Sequence, residues 1–120
     1  AGVTPADIDA CEFYYCFTYT VEATLRDYGF FKKEQVRDFI TRERLAPGGS
    51  LPVNTSGGML SEAYFMGLTP LAESFMQLTG RCGDRQLGKL AGTKEPALIA
   101  CSDNGAVFQG HAAMILERGE

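Results

Sequence analysis

Apolar and polar positions follow one another in changing periods along the chain, and each change of period marks an element. Residues 10–17, ACEFYYCF, form a nearly continuous apolar and aromatic run that predicts a strand. Thr4 and Pro5 ahead of it give a helix-start signal, with room for a single turn before the strand. From Thr18 or Thr20 the spacing becomes helical: Val21, Leu25 and Tyr28 share a face, and Gly29 stands just past the end. A second helix is predicted over residues 33–44, with Val36, Phe39 and Ile40 as its stripe. LAPGGS ends it and leads to a short strand at 51–53. Thr69-Pro70 opens a third helix whose apolar stripe is Leu71, Phe75 and Leu78 and which stops at Gly80. GRCGDRQLGKLAGTKEP is glycine-rich and charged and reads as a connecting loop. Residues 97–101 and 112–116 are the last two strands, joined by SDNGAVFQGH. Strands alternating with helices predict an α/β layer domain with a mixed sheet.

Composition narrows the possibilities. At 120 residues the chain is one domain by length, and 45% hydrophobic with 22% charged residues is ordinary for a folded protein. No apolar run approaches the roughly 18 residues of a membrane span. The first residues, AGVTPADID, lack the basic flank and apolar stretch of a secretory signal. The chain does not begin with Met, which fits either Met removal or a piece of something longer. Net charge is −4 and the eleven basic residues form no long block, so nucleic acid is not an expected partner. Cys11, Cys16, Cys82 and Cys101 fit no zinc spacing, and His111 has no second histidine to work with, so no metal site is expected. Reduced cysteines suggest a cytoplasmic protein.

Three features carry candidate chemistry. Asn54-Thr55-Ser56-Gly57-Gly58 follows a strand, and its two glycines let backbone approach a ligand closely and take positive φ; a plain tight turn is the other reading. Tyr14, Tyr15 and Tyr64 are either core aromatics or acid–base groups. Strand alternation would send Tyr14 and Tyr15 to opposite faces. A phenol, with a reference pKa near 10, serves as a base only where nearby charge or donors favour the phenolate. Cys101 ends a strand beside a turn and is either a nucleophile with a stabilised thiolate or a buried inert thiol. His111 is expected to be structural. Gly83-Asp84-Arg85-Gln86 reads as a solvated loop or a contact loop.

Taken in order, DIDACEFYYCFT, LPVNTSGGMLSEAYFMG and ALIACSDNGAVFQGHAAMIL resemble the C-terminal half of a thiolase-superfamily enzyme along nearly the whole chain. In thiolases a similar Asn-x-Ser-Gly-Gly-x-Leu-Ser block leads to a Gly-His-Pro motif, and Tyr64 stands at the place of that histidine. The sterol-carrier type has a His-Asp-Cys-Phe block where this chain has Tyr14-Tyr15-Cys16-Phe17. Tyrosine at both histidine places resembles the lipid-transfer-protein group of thiolase-like aldolases, which cleave steroid side chains as CoA thioesters. That group carries Tyr-Asp-x-Phe-Thr and Ser-Glu-Ala-Tyr blocks. QLTGRCGDRQLG is similar to a segment that follows in the same group. Here Tyr15 replaces the usual Asp.

The resemblance implies a thiolase-like C-terminal fold, a mixed sheet with helices packed in layers, spanning residues 1–120 as a single domain whose N-terminal half is not in this chain. It implies retro-aldol cleavage of the Cα–Cβ bond of a β-hydroxyacyl-CoA, with Tyr64 and Tyr14 as the proton-transfer pair and Asn54, Ser56, Gly57 and Gly58 shaping the wall of the site. Cys101 lies near the place of the thiolase Cys-x-Gly cysteine, which gives it a possible catalytic part. No covalently bound cofactor is implied; coenzyme A enters as the substrate thioester. Implied partners are the missing N-terminal half, a small zinc-ribbon and OB-fold protein, and further copies of the chain, since apolar surface would be exposed. Two alternatives stay open: an acyl-CoA thiolase or acetyl-CoA acetyltransferase domain, and a non-catalytic scaffold or binding domain.

Overall fold

The computed structural model describes residues 2–105 and 110–119. Its centre is a three-stranded mixed sheet in the order β1 (Ala10–Phe13), β2 (Leu98–Gly105), β3 (Gly110–Glu117). β1 runs parallel to β2, with Ala10 opposite Ile99 and Glu12 opposite Cys101; β2 runs antiparallel to β3. The predicted final strands are both longer than their apolar cores, and residues 106–109 of the predicted connection lie outside the described residues.

The strand predicted at 10–17 stops at Phe13, where Asn54 closes its outer edge. The predicted strand at 51–53 reduces to one parallel bridge between Val53 and Cys11. Cys11 N–H donates to Pro52 O at 2.9 Å and Asn54 N–H to Cys11 O at 2.8 Å. Asn54 then turns left-handed (φ 53°), and its Oδ1 accepts the Phe13 N–H at 2.7 Å in place of a backbone carbonyl. The outer edge of β1 is thereby occupied, whereas β3 pairs only with β2 among the described residues.

One face of the sheet carries α1 (Thr18–Asp27), ended by Gly29 at φ 85°. The predicted stripe is the buried one: Leu25 is fully buried with Cys11, Phe13, Phe31 and Leu51, and Val21 and Tyr28 pack against them. The predicted helix over 33–44 is instead a 3-10 turn at Lys33–Gln35 followed by α2 (Val36–Phe39) and α3 (Arg42–Leu45). The break falls at Ile40 and Thr41, two β-branched residues with ψ of 79° and 155°. Val36 and Phe39 join the core, but Ile40 is exposed.

The opposite face carries α4 (Leu68–Leu78), and here the predicted packing is reversed. Thr69, Pro70, Glu73, Ser74 and Gln77 are buried, while Leu68 and Phe75 are exposed and Leu71 is half-buried. The apolar contribution on this side is a small cluster of Ala10, Leu87 and Ile99, with Leu78 and Leu90 against it. Glu73 and Gln77 replace the expected leucine stripe because they form a closed hydrogen-bond network with the loop after the helix.

Candidate active site

The site is built where β1 ends and the glycine turn crosses it. Gly57 and Gly58 both take positive φ (95° and 67°), and Gly58 N–H donates to Ser56 Oγ at 3.2 Å. Gly58 is required sterically as well: a Cβ there would sit 2.6 Å from the Tyr15 hydroxyl. Within this chain, then, the close approach that the glycine pair permits is to the Tyr15 phenol. Tyr15 was expected on the face opposite Tyr14, yet both reach the 54–64 segment, because β1 has already ended and strand alternation no longer governs them.

Tyr14 and Tyr64 meet. Their hydroxyl oxygens are 2.7 Å apart, with ring centroids at 6.2 Å and planes tilted by 54°. Tyr14 is 6% exposed and held by its N–H to Ser102 O at 2.9 Å; Tyr64 is 60% exposed. Cys16 adds a third member, its thiol donating to the Tyr14 oxygen at 3.6 Å. The hydrogen bonds with Tyr64 and Cys16, with burial, push the Tyr14 phenol well above its ordinary value, so Tyr14 keeps its proton. Beyond Tyr64 the chain turns through Met66 (φ 53°) into α4. Gly67 faces the Asp103 carboxylate with no room for a side chain. A cavity of about 370 Å³ begins next to Tyr64, lined by Phe65, Met66, Leu68, Cys101 and Asp103 among others.

Under the glycine turn lies a buried polar network that the sequence reading missed. Glu12 points from β1 toward α4 and is fully buried. Its Oε1 meets the Thr55 N–H at 3.0 Å and the Thr55 hydroxyl at 2.7 Å. The same hydroxyl lies 2.7 Å from Glu73 Oε1 and 3.1 Å from Gln77 Nε2. Arg85 closes the network with Nη2 to Glu73 Oε2 at 2.9 Å and Nε to Oε1 at 3.2 Å. Burial lifts the Glu12 carboxyl to about 8 against the pull of both Thr55 hydrogen bonds. For Glu73 burial acts upward too, but hydrogen bonds from Arg85, Thr55 and Gln77 outweigh it and hold the carboxyl below its ordinary value. The segment 83–86 is thus anchored: Gln86 is buried, with its amide on Gln77 O at 2.8 Å. One signal was available, the lone Glu12 inside an apolar strand run.

Cys101 is 3% exposed on β2, and burial pushes its thiol to about 11, so in this chain it is a neutral thiol. The Asn54 side-chain oxygen is committed to Phe13. His111 pairs through Nε2 with the Tyr28 hydroxyl, on the α1 side of the sheet. Among the described residues, no group of three or more His, Cys, Asp or Glu is arranged to hold a metal ion. No helix among them is long and apolar enough to cross a membrane.

The fold has counterparts among known proteins. Residues 1–118 match the thiolase C-terminal domain-like family, and the chain belongs to it. It is 41% identical over 80 residues to the 17-hydroxy-3-oxo-4-pregnene-20-carboxyl-CoA lyase of Mycobacterium tuberculosis, covering 67% of this chain and 21% of that protein. A steroid side-chain-cleaving aldolase of Thermomonospora curvata is 40% identical over 80 residues, covering 67% of this chain and 20% of that one. The solved Ltp2-ChsH2(DUF35) aldolase superposes with a TM-score of 0.79 at 30% identity, over 98% of this chain and 28% of its own. The chain therefore spans about a fifth of the length of the curated relatives it matches.

Proposed function

We propose that this chain is the C-terminal domain of a retro-aldol lyase acting on a β-hydroxyacyl-CoA, with a steroid or other lipid side chain as the acyl group. The observation that carries the reading is the 2.7 Å contact between the Tyr14 and Tyr64 hydroxyls, at the two places where thiolases resembling this chain carry histidine. The names of the lyase and aldolase relatives support it.

The pair suggests a direction for the proton. Cys16 donates to the Tyr14 oxygen, the Tyr14 and Tyr64 hydroxyls share a hydrogen bond, and Tyr64 is the exposed member of the pair that a substrate can reach, so Tyr64 is assigned as the base. Tyr64 then takes the proton of the β-hydroxyl. The Cα–Cβ bond breaks, a ketone or aldehyde leaves, and the electron pair moves into the thioester enolate. Return of the Tyr64 proton to Cα gives the shortened acyl-CoA and restores the base. Donors for the enolate oxygen and the CoA surface would come from the N-terminal half of the enzyme. Exposed Leu68, Phe75, Met114 and Ile115 support a surface that packs against the rest of a longer protein. A zinc-ribbon and OB-fold component is proposed as a further partner, in keeping with the two-part name of the aldolase it superposes on. Four free cysteines support a cytoplasmic setting.

The test uses the full-length enzyme with its partner. A β-hydroxyacyl-CoA should yield a ketone or aldehyde detected by mass, while a β-ketoacyl-CoA with free CoA should give no thiolysis. Tyr64→Phe should lower kcat by about 10² to 10⁴-fold, with stability changed by less than about 0.5 kcal/mol. Thiolysis, or full activity in Tyr64→Phe, would overturn the reading.

A further inference from the structure

The hydrogen count around Thr55 does not close with ionised carboxylates. Thr55 Oγ1 is 2.7 Å from Glu12 Oε1 and 2.7 Å from Glu73 Oε1, and it also accepts the Gln77 amide N–H at 3.1 Å. Each oxygen–oxygen contact needs a proton, and a threonine hydroxyl has one. The second proton must sit on a carboxyl. Glu73 is excluded as its holder, because Oε1 and Oε2 both take donors from Arg85 and Oε1 takes the Gln77 amide as well. Among the described residues, Glu12 is paired to no cation and receives only the Thr55 N–H and this contact. The arrangement that supplies both oxygen–oxygen contacts has Glu12 Oε1–H donating to Thr55 Oγ1 and Thr55 Oγ1–H donating to Glu73, while the two Gln77 amide hydrogens are shared among Thr55 Oγ1, Glu73 Oε1 and Arg85 O.

We infer that Glu12 is a positioning residue: as a neutral carboxylic acid it fastens the glycine turn to β1 and so holds Tyr64 against Tyr14. Thr55 is the second residue of the turn that delivers Tyr64, and Glu12 lies on β1 two residues before Tyr14 in sequence. The acid therefore joins the supports of both phenols. Other titratable groups around it argue against an anion there. Glu73 faces it from α4, Glu62 from the loop before that helix, Cys101 from β2 and Cys82 from the loop after α4, while Cys11, its neighbour on β1, points to the other face of the sheet. The only cation in the set, Arg85, is taken by Glu73. Ionising Glu12 removes its donor to Thr55 and places a second negative charge on the network. The turn should then loosen and misalign the phenols.

The role of Glu12 in activity rests on the retro-aldol reading; its protonation state does not, and the experiment separates the two. The full-length protein, labelled with 13C at glutamate carboxyls, is followed by infrared spectroscopy as pH rises. A neutral glutamic-acid carbonyl band at neutral pH, disappearing near pH 8, is expected. Glu12→Gln should remove that band. In parallel, kcat for cleavage of a β-hydroxyacyl-CoA should fall across the same pH range in the wild type. Glu12→Ala should lower kcat on the order of 10²-fold through misplacement, with KM little changed, whereas Glu12→Gln, whose amide N–H can donate to Thr55 as the neutral acid does, should recover most of that loss and show no such alkaline fall.

Absence of a neutral glutamic-acid band at neutral pH overturns the inference, and this requires no variant to fold. An unchanged alkaline fall in Glu12→Gln overturns the positioning role. A band that titrates as expected, without any substrate cleavage, upholds the neutral acid and overturns only the retro-aldol reading.

Discussion

The two faces of the sheet are held by different physics. On the α1 side, Cys11, Phe13, Leu25, Phe31 and Leu51 close an apolar core in which each side chain substitutes for any water. On the α4 side the central contacts are Glu12, Thr55, Glu73, Gln77 and Arg85, where each atom needs a named partner. Apolar packing is tolerant, because a neighbour can shift and keep contact. A buried polar network is intolerant, since one lost member leaves several groups desolvated and unpaired. The difference teaches what the polar face offers the phenol pair: it fixes distances, which the proton transfer proposed for the pair would need.

Substitutions can break or sharpen this contrast when unfolding of the full-length protein is followed in urea. Phe13→Ala, on the apolar side, should cost most, about 4 kcal/mol, through lost transfer energy and the cavity left behind. Kinetics near the phenols should change little once the variant is folded. Glu73→Ala should cost about 3 kcal/mol, because Arg85 loses its counter-ion and Thr55 and Gln77 lose an acceptor. A loss well under about 1 kcal/mol would erase the distinction between the faces. Thr55→Val, similar in shape but without the hydroxyl, should cost about 2 kcal/mol and lower activity as well.

The polar face should also leave a signature in pH. Glu12 keeps its proton in the folded protein up to about 8, whereas the unfolded chain releases it near 4.5. Between those values the native state binds the extra proton, so this group's contribution is full below 4.5 and lost as pH rises through about 8. Glu73 runs the other way. Its folded value is lowered, so its contribution is present above 4.5 and lost as pH falls below it. Measured stability should show both slopes, and Glu12→Gln should abolish the upper one alone.

Much of the apolar face was legible in the sequence. The Val21, Leu25 and Tyr28 stripe, the stop at Gly29 and the strand before them follow from local spacing. Facing of α4 was not legible, because Leu71, Phe75 and Leu78 present as good a stripe as any core helix. Only the tertiary partners of Glu73 and Gln77 show that the polar side is the covered one. Tyr14 and Tyr64, expected together through the family resemblance, do meet, fifty residues apart in sequence. The proton arrangement beneath them was invisible, since Glu12 finds Thr55 forty-three residues away. Cys16 was read as an apolar-run residue, and its approach to the Tyr14 oxygen depends on where β1 ends.

Thr55 carries a consequence for descent. Its single hydroxyl balances two carboxyls and one amide, so the three positions 12, 55 and 73 cannot drift independently. A relative that loses the hydroxyl at 55 should have exchanged one of the two glutamates for an amide or an apolar residue. Changes at 12 and 73 should also accompany one another more often than their separate frequencies allow. An alignment of aldolase-like and thiolase-like members can be scored for that covariation. The pairing should hold across both branches, because it belongs to the scaffold on which either a phenol or an imidazole can be mounted.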